Sequence, residues 1–297
     1  MWARARGWSF IIPLVPEKRI ENRGSHWVPD AEGFLPTRPD QRPIAEPWAS
    51  AVALVVDAYR DRLGPALHSV YVRGSVARGL AVEGVSDLDT FAVLVPCAPP
   101  ELDPSAFASW SSEVDARVTA RHPAVVGVET DLVRYDQVVR GRGYFAFALK
   151  TEAACVHGPD LTDQVAPFRL GPDVAFQTKF FRKHLAIFRR EYPSEPPAER
   201  PGFIAWLARR LLRLGMELVM LQEGRYSRDL DRCYESFARY YPAQAEAMRR
   251  ALELAVNPTA DATSARFLTE FGEWLAGLAD QALLAWGLAP EPSPAAS

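Results

Sequence analysis

Apolar and polar positions change their rhythm along this chain. Trp48, Val52, Val55, Val56 and Tyr59 recur at three- and four-residue spacing, which predicts a helix over 45–63, stopped by Gly64-Pro65. Two runs of β-branched and apolar residues follow, 67–73 and 87–95, and predict strands on either side of a glycine-rich turn. A helix is expected over 105–122, with Ser105 as its N-cap and Pro123 as its stop. A third strand is expected over 124–135, a helix over 138–150 and a short buried strand over 153–156.

From Asp173 onward the pattern is helical only, with expected helices over 174–192, 203–222, 230–240, 243–255 and 264–288. Strands with helices, then helices alone, predict an α/β (α+β) domain with a small mixed sheet, followed by a C-terminal helical bundle domain. The expected boundaries are an extended N-terminal arm at 1–45, a first domain at 46–170, a helical domain at 171–289 and a disordered tail at 290–297. The proline-rich arm is expected to lie on the first domain, with Phe10-Ile11-Ile12 as a candidate edge strand.

Candidate chemistry concentrates between residues 70 and 95. Strand side chains alternate, so Asp87 and Asp89 share one face and Leu88 takes the other. Two neighbouring carboxylates repel and resist burial. They become useful around a divalent cation, and Mg²⁺ takes one or two carboxylates together with substrate phosphates. Gly74-Ser75 ends the preceding strand. Backbone N–H groups of such a turn, with the Ser75 hydroxyl, can hold phosphate oxygens. Arg78 could add a charge to the phosphates, although an arginine on a loop is more often simply solvated.

Gly74-Ser75, eleven intervening residues, then Asp87-Leu88-Asp89 and an apolar run resemble the signature of the DNA polymerase beta-type nucleotidyltransferase superfamily. Gly74-Ser75-Val-Ala77-Arg78-Gly79 followed by Ser86-Asp87-Leu88-Asp89 is similar to its bacterial branch, the aminoglycoside and minimal nucleotidyltransferases. The resemblance implies two Mg²⁺ ions on Asp87 and Asp89, and a nucleoside triphosphate, with ATP favoured, whose phosphates meet Gly74 and Ser75. It implies transfer of a nucleoside monophosphate to an acceptor hydroxyl, with release of pyrophosphate. It also implies a third carboxylate on a neighbouring strand, which helps to hold the catalytic metal or takes the hydroxyl proton. That residue is Asp131 or Glu129. Asp131 is favoured because Asp131-Leu-Val has the acid-then-apolar form of the family, while the antibiotic enzymes often use Glu. A fainter resemblance covers Gly224-Arg225-Tyr226-Ser227-Arg228: a similar turn in antibiotic nucleotidyltransferases begins a C-terminal helix, and its last basic residue reaches the nucleotide phosphates. Arg228 takes that position, and Ser227 would cap the helix under either reading.

Composition narrows the partners. A net charge of −3 argues against a broad grip on nucleic acid, which needs a basic excess. Cys97, Cys155 and Cys233 have neither zinc nor disulfide spacing, which suits a reducing cytoplasm. The apolar run 8–15 is short and cut by Pro13, unlike a signal peptide, and no stretch is long enough to span a membrane. The resemblance implies a small-molecule acceptor, aminoglycoside-like compounds among them, and the two-domain length favours it, because minimal antitoxin-type enzymes are about the size of the first domain alone. The alternatives are a protein acceptor or an antitoxin-type regulatory partner, and a nucleotide-binding module without turnover.

Overall fold

The computed structural model describes residues 24–84, 86–96, 98 and 104–290, with the side chains of 104–106 excepted. The candidate strand at Phe10–Ile12, Cys97, the Ser105 cap and residues 291–297 of the tail lie outside that description. Contacts divide the described chain into two compact units: Pro36–Phe168, and residues 24–35 together with 169–290. No helix among the described residues is long and apolar enough to cross a membrane.

The first unit begins with α1 (Trp48–Leu63), which leads into β1 (Leu67–Arg73). A four-residue helix, α2 (Gly74–Ala77), turns the chain towards β2 (Leu88–Leu94). Then come α3 (Pro104–Arg121), β3 (Val128–Arg134), α4 (Tyr135–Val139), α5 (Tyr144–Thr151) and β4 (Ala154–His157). The sheet is mixed, in the order β3-β2-β1-β4. β2 runs parallel to β3, while β1 runs antiparallel to both β2 and β4. Strand β2 starts one residue later than the apolar run suggests, so Asp87 stands just before it and Asp89 within it.

Alternation sorts the sheet into two faces. Val70, Val72, Leu88, Ala92 and Val128 pack with Val52, Val55 and Tyr59 of α1 and Val114 and Val118 of α3 into one buried core. Arg73, Asp89, Glu129 and Asp131 belong to the other face. There Phe91 stacks on Tyr71, ring centroids 5.1 Å apart, and meets Phe145 of α5 at 5.3 Å. The helix expected over 138–150 is two helices, α4 and α5. They part at Arg140–Gly143, where Gly141 and Gly143 weaken helix formation.

The second unit is helical, with α6 (Phe176–Glu191), α7 (Arg200–Glu223), α8 (Leu230–Tyr240), α9 (Ala245–Val256) and α10 (Ala262–Ala285). Phe181, Leu185, Phe188, Leu207, Leu211, Leu214, Phe237, Met248, Leu268 and Leu275 are buried. Residues 24–35 belong to this unit, not to the first domain on which the arm was expected to lie. Hydrogen bonding explains the difference: Trp27 and Tyr226 exchange backbone bonds of 2.7 and 3.0 Å as an isolated antiparallel bridge, and both side chains are buried. A short segment of unpaired backbone gains two ladder bonds there that a surface arm would lack.

Candidate active site

The turn between β1 and β2 is built by its glycine. Gly74 has φ +75°, a conformation that other residues adopt only with strain, and a Cβ added there would meet Asp89 Oδ2 at 2.9 Å. The same residue thus permits both the turn and the close packing of Asp89 on the backbone. Beyond α2 the loop is closed by Ser86, whose hydroxyl accepts from the Val82 N–H at 2.9 Å. The Leu88 N–H donates to the Gly127 carbonyl at 2.8 Å, which sets β2 going beside β3. Asp115 of α3 accepts the Val128 N–H at 2.7 Å and fixes the start of β3.

Register decides which acids meet. Asp89 pairs with Glu129 across the parallel ladder and with Arg73 across the antiparallel one, while Asp131 pairs with Phe91. Glu129, rather than Asp131, is therefore level with Asp89. Asp131 lies two residues further along the strand, away from the Gly74 turn. Core-side hydroxyls hold the backbone of both: Thr90 Oγ1 donates to the Glu129 carbonyl at 2.8 Å, and Tyr59 Oη accepts the Asp131 N–H at 3.1 Å.

Arg73 organises the cluster. Its Nη2 lies 3.0 Å from Glu129 Oε2, 3.2 Å from Asp89 Oδ1 and 4.0 Å from Asp131 Oδ2. Its Nη1 donates to Tyr144 Oη at 3.3 Å, and that hydroxyl donates to Glu152 Oε1 at 3.2 Å. Burial alone would pull the guanidinium pKa down; the negative charge of Asp89 and its neighbours outweighs it and holds the group well above its ordinary value. Burial pushes the Asp89 carboxyl well above its usual range, with Asp87 and Glu129 adding to the rise and Arg73 opposing it. Arg73, Tyr144 and Glu152 carry no motif that marks them in the sequence.

The donor chemistry fits a hard cation. These are carboxylate oxygens, three of them lie within 4.0 Å of one guanidinium nitrogen, and that guanidinium is a cation already. As they stand, no three acidic, histidine or cysteine side chains among the described residues are gathered closely enough to hold a metal ion. The spacing is that of a guanidinium, whose hydrogen bonds are longer than metal–oxygen bonds.

The remaining candidates divide. Ser75 is half-buried at the start of α2. Arg78 is 8% exposed, not solvated, with its Nη1 3.9 Å from Asp40 Oδ2. Ser227 and Arg228 are both buried in the helical unit. Ser227 does not cap α8, whose N-cap position is Asp229; its hydroxyl donates to the Ser25 carbonyl at 2.7 Å and accepts the Asp229 N–H at 3.1 Å. Arg228 lends positive charge to the buried Glu217 of α7. A shallow depression lined by Arg60, Asp61, Gly64, Leu67 and His157 lies at the opposite end of β1 from Arg73 and holds none of these residues.

Among solved structures, the chain is similar to the spectinomycin adenyltransferase AAD(9) from Enterococcus faecialis, crystallised with ATP and spectinomycin. The TM-score is 0.51 at 12% identity, over 78% of this chain and 99% of that one. The likeness is one of fold. No protein-family model and no curated protein matches the chain.

Proposed function

We propose that this protein is a Mg²⁺-dependent nucleotidyltransferase that moves a nucleoside monophosphate from a triphosphate, ATP by preference, to a hydroxyl of a small-molecule acceptor. The observation that carries the reading is the packing of Asp89 against Gly74, which joins the glycine turn and the acidic strand of the Gly-Ser…Asp-Leu-Asp pattern in one place. Fold likeness to an adenyltransferase solved with ATP supports it. That protein's spectinomycin makes aminoglycoside-like, polyhydroxylated compounds the first acceptors to try.

Asp87 and Asp89 would hold the metal, with Glu129 as the third carboxylate by register and Asp131 as the one favoured by its sequence context. When bound, Mg²⁺ supplies neutralisation of the triphosphate and of the charge that develops on the leaving oxygen. The Gly74 and Ser75 backbone and the Ser75 hydroxyl orient the outer phosphates, and Arg78 adds positive charge near that turn. The acceptor oxygen forms a bond to the α-phosphorus as the bond to the bridging oxygen breaks. Pyrophosphate leaves with that electron pair, and the hydroxyl proton passes to a carboxylate of the β3 pair. A cytoplasmic setting goes with this chemistry, since ATP and Mg²⁺ are supplied there.

Thermal melting tests the binding half of the reading. Each triphosphate should raise the midpoint with Mg²⁺ and lose most of that effect in EDTA. Equal stabilisation in both conditions would contradict a metal-dependent site.

A further inference from the structure

The cation at the centre of the acids belongs to the chain itself. Arg73 closes β1, and its side chain is 11% exposed. Glu129, Asp89 and Asp131 all converge on one of its nitrogens, Nη2, at 3.0, 3.2 and 4.0 Å. A divalent ion binding the same acids would need that point, with oxygens drawn in to about 2.1 Å. Two cations cannot share it, because like charges at that distance repel strongly in a buried setting. The other nitrogen, Nη1, already reaches the Tyr144 hydroxyl, behind which stands the buried carboxylate of Glu152. The guanidinium lies 5.6 Å from the Tyr144 ring. A second resting place for the positive charge therefore adjoins the first.

We infer that Arg73 is the resident counter-cation of the carboxylate cleft, and that a divalent ion enters by displacing its guanidinium from Asp89, Glu129 and Asp131 towards Tyr144 and Glu152. The inference rests on the nucleotidyl-transfer reading only in taking these acids as the metal's ligands. It assigns Arg73 a positioning role: holding three acids together on a buried face that would otherwise repel one another, at the expense of metal affinity. Lysine would keep the charge but not the planar fork that bridges acids and tyrosine at once.

Calorimetric titration with Mn²⁺ alone tests this on the full chain, in the wild type and in Arg73→Met, Arg73→Lys and Asp89→Asn. Arg73→Met should bind Mn²⁺ at least about tenfold more tightly than the wild type, since nothing has to be displaced. It should melt at a lower temperature in EDTA and recover with Mn²⁺. Arg73→Lys should stay near the wild type. A second measurement needs no methionine variant: in ¹⁵N-arginine-labelled wild type, the Nε–H signal of Arg73, identified by its loss in Arg73→Lys, should shift and exchange faster with water as Mg²⁺ saturates. Equal Mn²⁺ affinity in the wild type and Arg73→Met, with binding abolished by Asp89→Asn, would leave the metal site standing and overturn the displacement. So would an Arg73 signal unmoved by saturating Mg²⁺. Mn²⁺ binding that is absent from every protein, or indifferent to Asp89→Asn, would overturn the metal reading and this inference with it.

Discussion

Asp89 and Glu129 face each other across the parallel pair β2 and β3, in register, and both reach Arg73 Nη2, at 3.2 and 3.0 Å. If this register selects the third carboxylate, Glu129→Gln should cut the rate of nucleotidyl transfer by several orders of magnitude and weaken Mn²⁺ binding. Asp131→Asn, one level further along the sheet, should weaken metal binding less and lose less of the rate. Single-turnover transfer with parallel Mn²⁺ titrations would check this. The reverse ranking would return the role to Asp131.

Gly74 gives a test of backbone design. Gly74→Ala places a methyl at a positive φ and 2.9 Å from Asp89 Oδ2, whereas Gly84→Ala meets the same kind of strain at φ +67° with no heavy atom within 4 Å. Both should lose about 1–2 kcal/mol from the strained backbone. Gly74→Ala should lose more, and should also lose the stabilisation given by Mg²⁺ and triphosphate. Urea unfolding with and without ligand separates the two, and equal losses would show that Asp89 does not depend on Gly74.

Ser227 is buried and bonded to Ser25 and Asp229 within its own unit. Ser227→Ala should therefore cost about 1–3 kcal/mol of stability, the usual result of stranding buried polar groups. If the cost appears in the absence of nucleotide, the hydroxyl serves the fold first. A variant as stable as the wild type but weaker for triphosphate would place the phosphate role first instead.

Glu217 is buried and accepts N–H bonds from Gln177 and Thr178 at 3.0 and 2.7 Å. Burial pushes its carboxyl up from an ordinary 4.5 to about 7, against those bonds and the charge of Arg228. Between these values the folded chain holds a proton that the unfolded chain has released. Stability should thus fall as pH rises from about 4.5 to about 7. Glu217→Gln should remove that part of the slope in chemical unfolding measured across the window; an unchanged slope would contradict the assignment.

The strands and most helices were legible because each is a local pattern: Leu230–Tyr240 falls where the periodicity puts it, and Asp87-Leu88-Asp89 sits at a strand start as alternation requires. What local pattern does not contain is pairing between distant segments. Which of Glu129 and Asp131 meets Asp89 depends on the register of β2 against β3, and a slip of two residues keeps the face and changes the partner. The bridge of Trp27 to Tyr226 spans the chain and has no signal at either end. In the sequence Arg73 is simply the residue before Gly74. Its one sequence signal is alternation, which puts it on the face of β1 that carries Tyr71, and that becomes informative only once Asp89 is known to be its cross-strand neighbour. The break between α4 and α5 was readable from Gly141 and Gly143, and a continuous helix gave those glycines too little weight.

Transfer of label measures nucleotidyl transfer at Asp87 and Asp89 most directly. Full-length protein would be incubated with Mg²⁺, each α-³²P-labelled triphosphate in turn and a panel of polyhydroxylated acceptors, and both labelled product and pyrophosphate followed. One triphosphate should give an acceptor–monophosphate adduct and an equal amount of pyrophosphate, and Asp87→Asn and Asp89→Asn should give neither. Undiminished transfer by Asp87→Asn or Asp89→Asn at saturating Mg²⁺ would contradict it, as would a triphosphate that binds at this site and is never turned over with any acceptor or cell extract.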